Sequence, residues 1–191
     1  MQRLATLAAV ICALATPALA ELKTGTKAPD FTAQGYLAGQ AFTFKLSDAL
    51  KKGPVVMYFF PAAYTAGCNI ETHMFSEASA QFAAAKATLI GVTAGNPERL
   101  KEYSADTQYC AGKFALLADP GAKIAKQYDT TLVVDPAQLP PGTVVPKGLS
   151  GRTSYVLAPS GKVLHAYDAL KPQEHVTETL AALKAWRAKG K

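Results

Sequence analysis

Apolar residues recur along this chain with two different periods, and the alternation between them sets the first expectations. Val55-Val56-Met57-Tyr58-Phe59-Phe60 is apolar without a break, the pattern of a strand buried on both faces. The stretch from about Thr65 to Lys86 has helical spacing, with Ile70, Met74, Ala78, Phe82 and Ala85 on one side and expected to face the core. Leu89 to Val92 and Phe114 to Leu117 read as two more short strands. Between them, Asn96-Pro97-Glu98 has the cap, proline and acid of a helix start. Pro120 to Tyr128 predicts a short helix, and Thr153–Leu157 with Lys162–Tyr167 predicts a hairpin around Ala158-Pro159-Ser160-Gly161. Pro172 to Lys189 closes the chain as a helix with Val176, Leu180, Leu183 and Trp186 on one face. Before all of these come an extended lead-in at Lys27–Phe31, a short strand at Ala41–Lys45 and a helical turn at Ser47–Lys51. Residues 135–151, with four prolines and three glycines, read as a loop. The order β-α-β-α-β-α, then a hairpin and a helix, predicts a three-layer α/β domain with a mixed sheet.

The first 20 residues follow a different pattern. A positive start at Met1–Arg3, an apolar run at Leu4–Thr16 and the small-x-small site Ala18-Leu19-Ala20 make a secretory signal peptide. Cleavage after Ala20 is expected, leaving residues 21–191 as one domain, exported and, in a bacterium, periplasmic. No later segment is apolar for the 18 or so residues a membrane span needs. The net charge of +6 falls to +5 with the loss of Arg3, and its excess is scattered. No basic stripe interleaves with aromatics, so neither nucleic acid nor membrane is an expected partner. Cys12 leaves with the signal, and Cys68 and Cys110 remain as a pair in an oxidising compartment.

Candidate chemistry concentrates at Phe60-Pro61-Ala62-Ala63-Tyr64-Thr65-Ala66-Gly67-Cys68-Asn69-Ile70-Glu71. A buried strand ends here and a helix begins with Cys68 in or near its first turn, where free N–H groups and the helix dipole favour the reactive thiolate. Gly67 allows close approach of the backbone to a small ligand. The Thr65 hydroxyl is able to accept from a hydroperoxide or donate to the sulfur. By position alone, Cys68 reads equally as a small buried apolar side chain.

The spacing Pro61-x-x-x-Thr65-x-x-Cys68 resembles the active-site signature of the peroxiredoxins, the AhpC/TSA family. Gly25-x-x-Ala28-Pro29-Asp30-Phe31 is similar to that family's N-terminal segment, and Val55 to Phe60 to the strand before its active site. Gly151-Arg152-Thr153-Ser154-Tyr155-Val156-Leu157 with Pro159-Ser160-Gly161-Lys162-Val163 resembles the strand carrying the family's arginine. The likeness, nearest to the bacterioferritin-comigratory type, spans almost all of residues 25–190. It implies a thioredoxin-like fold and reduction of hydroperoxides without metal, haem or flavin. It further implies that Cys68 attacks the peroxide, Thr65 hydrogen-bonds it, Pro61 shields the pocket, Arg152 stabilises charge and Glu71 orients Arg152.

Many relatives of that type carry a second, resolving cysteine five residues after the first; here that position is His73. The resemblance therefore points to Cys110, at the end of the helix begun near Pro97, and to a Cys68–Cys110 disulfide reduced by a thioredoxin-like dithiol protein. A buried inert Cys110, or resolution by an external thiol, are the alternatives, and the protein is expected as monomer or homodimer. A thioredoxin-like thiol-disulfide oxidoreductase would need C-x-x-C, where this chain has Cys68-Asn69-Ile70-Glu71. A metal-binding protein would need Cys68, His73 and Met74 together, yet His73 lies about 140° around the helix from Cys68, and His165 and His175 lack ligand spacing.

Overall fold

A computed structural model describes residues 21–132, 148–169 and 171–190. Residues 1–20, expected as a signal peptide, and most of the proline-rich stretch lie outside the described residues. The elements are β1 Thr32–Leu37, β2 Gln40–Lys45, α1 Leu46–Leu50, β3 Val55–Phe59, α2 Ala66–Ala84 and β4 Thr88–Thr93. There follow a 3-10 turn Pro97–Arg99, α3 Leu100–Ala105, β5 Ala115–Ala118, α4 Lys123–Gln127, β6 Thr153–Leu157, β7 Val163–Asp168 and α5 Gln173–Ala188. The seven strands form one sheet in the order β2-β1-β5-β4-β3-β6-β7. β3, β4 and β5 run parallel at its centre and the flanking pairs are antiparallel, which makes the sheet mixed.

β3 explains the two-sided core. Its successive side chains point to opposite faces. Val55, Met57 and Phe59 pack with Leu46, Ala49, Ile124, Ala125 and Tyr128 on one side. Val56, Tyr58 and Phe60 pack with Phe75, Phe82, Leu100, Tyr103 and Leu183 on the other. Helices α1 and α4 thus cover one face, and α2, α3 and α5 the other, giving the expected three layers.

Three expectations need correction. β1 was absent from the hydropathy pattern because its inward positions are small. A Cβ on Gly35 would lie 2.8 Å from both Leu117 Cδ2 and Phe42 Cε1, so the neighbours' side chains fill the space and β1 shows no apolar alternation. Asn96 does not cap a helix: it is left-handed (φ 53°), its side chain donates to the Ala63 carbonyl at 3.0 Å, and a 3-10 turn follows. Most consequentially, α3 stops at Ala105, so Cys110 lies in the succeeding turn rather than at a helix end.

The expected face of α2 holds at Ala78 and Phe82, which are buried, and at Met74 and Ala85, which pack half-buried against the core, but it fails at Ile70. Ile70 is 46% exposed, whereas Cys68, Glu71, Thr72, Phe75, Ser76, Ala78 and Phe82 are buried. Hydropathy shifted the stripe because three of the buried positions are polar, with partners from other elements of the fold. Thr72 pairs with the Tyr58 hydroxyl at 3.0 Å, Ser76 donates to the Cys110 carbonyl at 3.1 Å, and Glu71 accepts from Arg152.

Candidate active site

Two parallel strands, β3 and β4, end side by side, and the loops leaving them are sewn together before α2 begins. Phe60 N–H donates to the Val92 carbonyl at 3.1 Å and Ala63 N–H to the Gly95 carbonyl at 3.3 Å. Thr93 Oγ1 donates to the Pro61 carbonyl at 3.1 Å. Gly95 is required by this closeness, since a Cβ there would fall 2.3 Å from the Pro61 oxygen. Tyr64 then turns the chain through a left-handed conformation (φ 60°), which costs a non-glycine residue about 1–2 kcal/mol. Its ring holds that geometry: the hydroxyl donates to Asp106 at 3.2 Å, and the Arg99 guanidinium lies 3.8 Å from the ring centroid.

The turn delivers Thr65 in extended conformation as the residue preceding α2. Its carbonyl accepts the first helical hydrogen bond, from Asn69 N–H at 2.8 Å. Its hydroxyl donates to the Ala62 carbonyl at 3.0 Å, which leaves the oxygen lone pairs free to accept. No side chain caps the helix, so the N–H groups of its first turn remain available beside Cys68. Cys68 is in that turn and is 1% exposed.

Arg152 reaches the sulfur from the residue just before β6. One guanidinium nitrogen, Nη2, donates to Cys68 Sγ at 3.5 Å, while Nη1 donates to Glu71 Oε2. The role expected for Gly67 is sharpened: a Cβ there would sit 3.1 Å from Arg152 Nη2, so the glycine makes room for the guanidinium itself. Burial works against the Arg152 cation, but Glu71 and Cys68 beside it more than offset this and raise its pKa. Burial pushes the Glu71 carboxyl up to about 8 despite the opposing pull of Arg152. Pro61, Thr65, Cys68, Glu71 and Arg152, expected to act together, thus share one loop, one helix start and one strand start. His73 is exposed and pairs with the Gln108 carbonyl at 3.0 Å, away from Cys68.

Cys110 stands apart from this group but belongs to the same buried cluster as Cys68. Both thiols are free. Cys110 Sγ donates to the Phe114 carbonyl at 3.3 Å, and burial pushes its thiol up to about 11. Tyr103 lies in the same cluster and donates from its hydroxyl to Asn69 Oδ1 at 2.9 Å, tying α3 to the first turn of α2. Sequence reasoning missed Tyr64, Asn69, Tyr103, Ser154 and His175. Of these only His175 left a signal, as a polar residue beside Val176 on the apolar face of α5.

A buried thiol under a fixed guanidinium, on a sheet of this topology, defines a thiol-chemistry protein of the thioredoxin-like class. Comparison with known proteins narrows it. The sequence model described as the AhpC/TSA family matches residues 24–166. The chloroplastic peroxiredoxin Q of Oryza sativa subsp. japonica is 32% identical over 166 residues, covering 86% of this chain and 68% of that protein. That of Arabidopsis thaliana is 31% identical over 167 residues, covering 87% and 69%. Among solved structures, peroxidoxin BcpB of Mycobacterium tuberculosis superposes with a TM-score of 0.70 at 27% identity, covering 86% of this chain and 97% of that one. A mutant PrxQ of Xylella fastidiosa gives 0.72 at 22% identity, covering 87% and 98%, a likeness of fold. The chain belongs to the AhpC/TSA family, the peroxiredoxins, and is a thiol peroxidase, an oxidoreductase acting on peroxides.

Proposed function

We propose that Cys68 is the peroxidatic cysteine and that Arg152, Glu71, Thr65 and Pro61 form its pocket. The observation that carries this reading is the 3.5 Å contact from Arg152 Nη2 to Cys68 Sγ at the open end of α2. The thiolate attacks the nearer peroxide oxygen; an S–O bond forms, the O–O bond breaks, and the other oxygen leaves with the electron pair and takes up a proton from solvent to become water or an alcohol. Charge that moves onto that oxygen meets the guanidinium and the free N–H groups of the first helical turn, donors fixed before the reaction starts. The Thr65 oxygen accepts from the hydroperoxide O–H and orients it. The product is a Cys68 sulfenic acid.

Cys110 then condenses with that sulfenic acid, losing water to give a disulfide. Both sulfurs are buried in the reduced protein, and a disulfide requires them at about 2 Å. The first turn of α2 and the turn carrying Cys110 must therefore open locally. A thioredoxin-like dithiol protein of the same compartment reduces the disulfide by thiol exchange. The N-terminal charge and apolar pattern support export with cleavage after Ala20 and action in the periplasm.

One assay tests the central reading: peroxide consumption with a dithiol reductant, wild type against Cys68→Ser. Activity is expected to vanish in the variant, and equal rates would refute it. Mass spectrometry of peroxide-treated protein should find a Cys68–Cys110 crosslink within one chain; an unmodified Cys110 would remove it from the cycle. The periplasmic protein should begin at Glu21.

A further inference from the structure

Two polar side chains of α2 grip the turn that carries Cys110, residues 107–112. His73 Nδ1 is 3.0 Å from the Gln108 carbonyl, and a carbonyl only accepts, so Nδ1 carries the hydrogen and donates it. Three residues on, and therefore on the same side of the helix, Ser76 Oγ donates to the Cys110 carbonyl at 3.1 Å. His73 is exposed and Ser76 buried, so the grip runs from the surface into the interior. What it grips is strained. Ala111, directly after Cys110, is left-handed (φ 54°), a conformation that crowds its Cβ against the backbone. Ala111 N–H and Gly112 N–H reach back to the Asp106 and Ser104 carbonyls at 2.8 and 2.9 Å, closing the turn.

Three other side-chain contacts cross nearby, and each differs in kind. Tyr64 to Asp106 at 3.2 Å and Tyr103 to Asn69 at 2.9 Å hold the loop and the first helical turn beside Cys68, so they belong to the peroxide pocket. Lys113 meets Glu77 at 3.3 Å between solvent-exposed side chains, an ion pair of little worth. Among the described residues, only His73 and Ser76 hydrogen-bond residues 108–110 to α2 through their side chains. Neither of them hydrogen-bonds to a group of the peroxide pocket.

We infer that His73 and Ser76 are positioning residues for the resolving step, holding the Cys110 turn closed and setting how fast Cys110 reaches the Cys68 sulfenic acid. This rests on Cys110 being the resolving thiol. In that step the two sulfurs bond, the S–OH bond of Cys68 breaks, and the hydroxide leaves as water with the proton of the Cys110 thiol. Attack on peroxide uses the closed fold, with Cys68 at the start of an intact α2 beneath Arg152. Resolution uses an open one, because both sulfurs are buried and the turn must part from α2 before they meet. A tie made only in the closed fold stabilises that fold and raises the barrier to opening, and it leaves the attack unchanged. The strain at Ala111 pulls the other way, toward release.

Two measurements on the same variants test this. Rapid mixing with stoichiometric peroxide, acid quench and mass spectrometry give the rate at which the Cys68–Cys110 crosslink forms. His73→Ala should raise that rate about two- to fivefold and the buried Ser76→Ala about five- to tenfold, the range one hydrogen bond supplies. In Ser76→Ala the Cys110 carbonyl keeps the Lys113 N–H at 3.1 Å, so one bond is lost and no bare acceptor is left. His73→Asn, whose amide nitrogen takes the place of Nδ1, should return the rate to that of wild type. The rate constant for peroxide attack should match wild type in all three. Amide hydrogen exchange of the reduced protein should quicken at Ala111 and Gly112 by the same factors in the two alanine variants. Crosslinking in those variants at the wild-type rate or slower, or a loss of peroxide attack alongside it, would overturn the inference and leave Cys110 in the cycle. No crosslink in wild type would remove Cys110 from the cycle and the inference with it.

Discussion

Arg152 does two things with one planar group: Nη1 binds Glu71 while Nη2 reaches the sulfur. A lysine ammonium is a point donor on a flexible stem and cannot hold both at once. Arg152→Lys as well as Arg152→Ala should therefore lower the peroxide rate constant, the alanine variant by about 100- to 1,000-fold, the range for loss of one fixed donor to a developing anion. Stopped-flow peroxide kinetics check this. Cys110 makes the opposite case. Its thiol is buried, hydrogen-bonded to Phe114 and pushed up to about 11, so at neutral pH it stays protonated and inaccessible. Iodoacetamide should leave Cys110 unmodified in the reduced native protein and modify it once denaturant opens the turn. Cys68 and its helpers were legible because their spacing along the chain is itself a signature. Tyr64 was not, because a left-handed tyrosine is fixed by Arg99 and Asp106, distant in sequence.

At the scale of elements, the seam between α2 and α5 has a pH signature. Burial lowers His175 from its usual 6.5 to about 4, and raises Glu71 from its usual 4.5 to about 8. Between 4.5 and 6.5 the unfolded chain carries one proton on the pair, on the histidine, and the folded chain carries one, on the glutamate. The two effects cancel there, and the pair contributes no slope to stability. From 6.5 to 8 the folded state alone holds the proton, so stability should fall as pH rises. Glu71→Gln removes that alkaline loss and unmasks the histidine: the unfolded state then binds more protons between 6.5 and 4, and stability should fall with falling pH. Thermal melts across this range distinguish the two profiles. The exposed Ile70 on α2 belongs here too. A helix whose inward positions carry Glu71, Thr72 and Ser76 cannot be oriented by hydropathy, because its polar partners come from β3, the Cys110 turn and the start of β6.

For the whole molecule, the parallel centre of the sheet places the site. β3 and β4 end together, and Gly95 lets the loop after β4 touch the loop that leads into α2. Gly95→Ala should force those loops apart, destabilising the protein by about 1–3 kcal/mol, the usual cost of overpacking. It should also slow peroxide reduction without altering any group that touches the sulfur. Denaturant melts and peroxide kinetics on the same variant check both parts.

Local order and chemistry were determined by the sequence alone: the buried β3 run, the helix that follows it, the hairpin of β6 and β7, and the family signature around Cys68. Those features rest on short-range periods and spacings that survive in one dimension. Tertiary structure decided the rest. It brought Arg152 onto a sulfur 84 residues away, ended α3 before Cys110, hid β1 behind Phe42 and Leu117, and set His175 against Glu71. Each of these depends on which side chains share a buried space, and neighbours across a sheet or a helix seam leave no regular spacing along the chain.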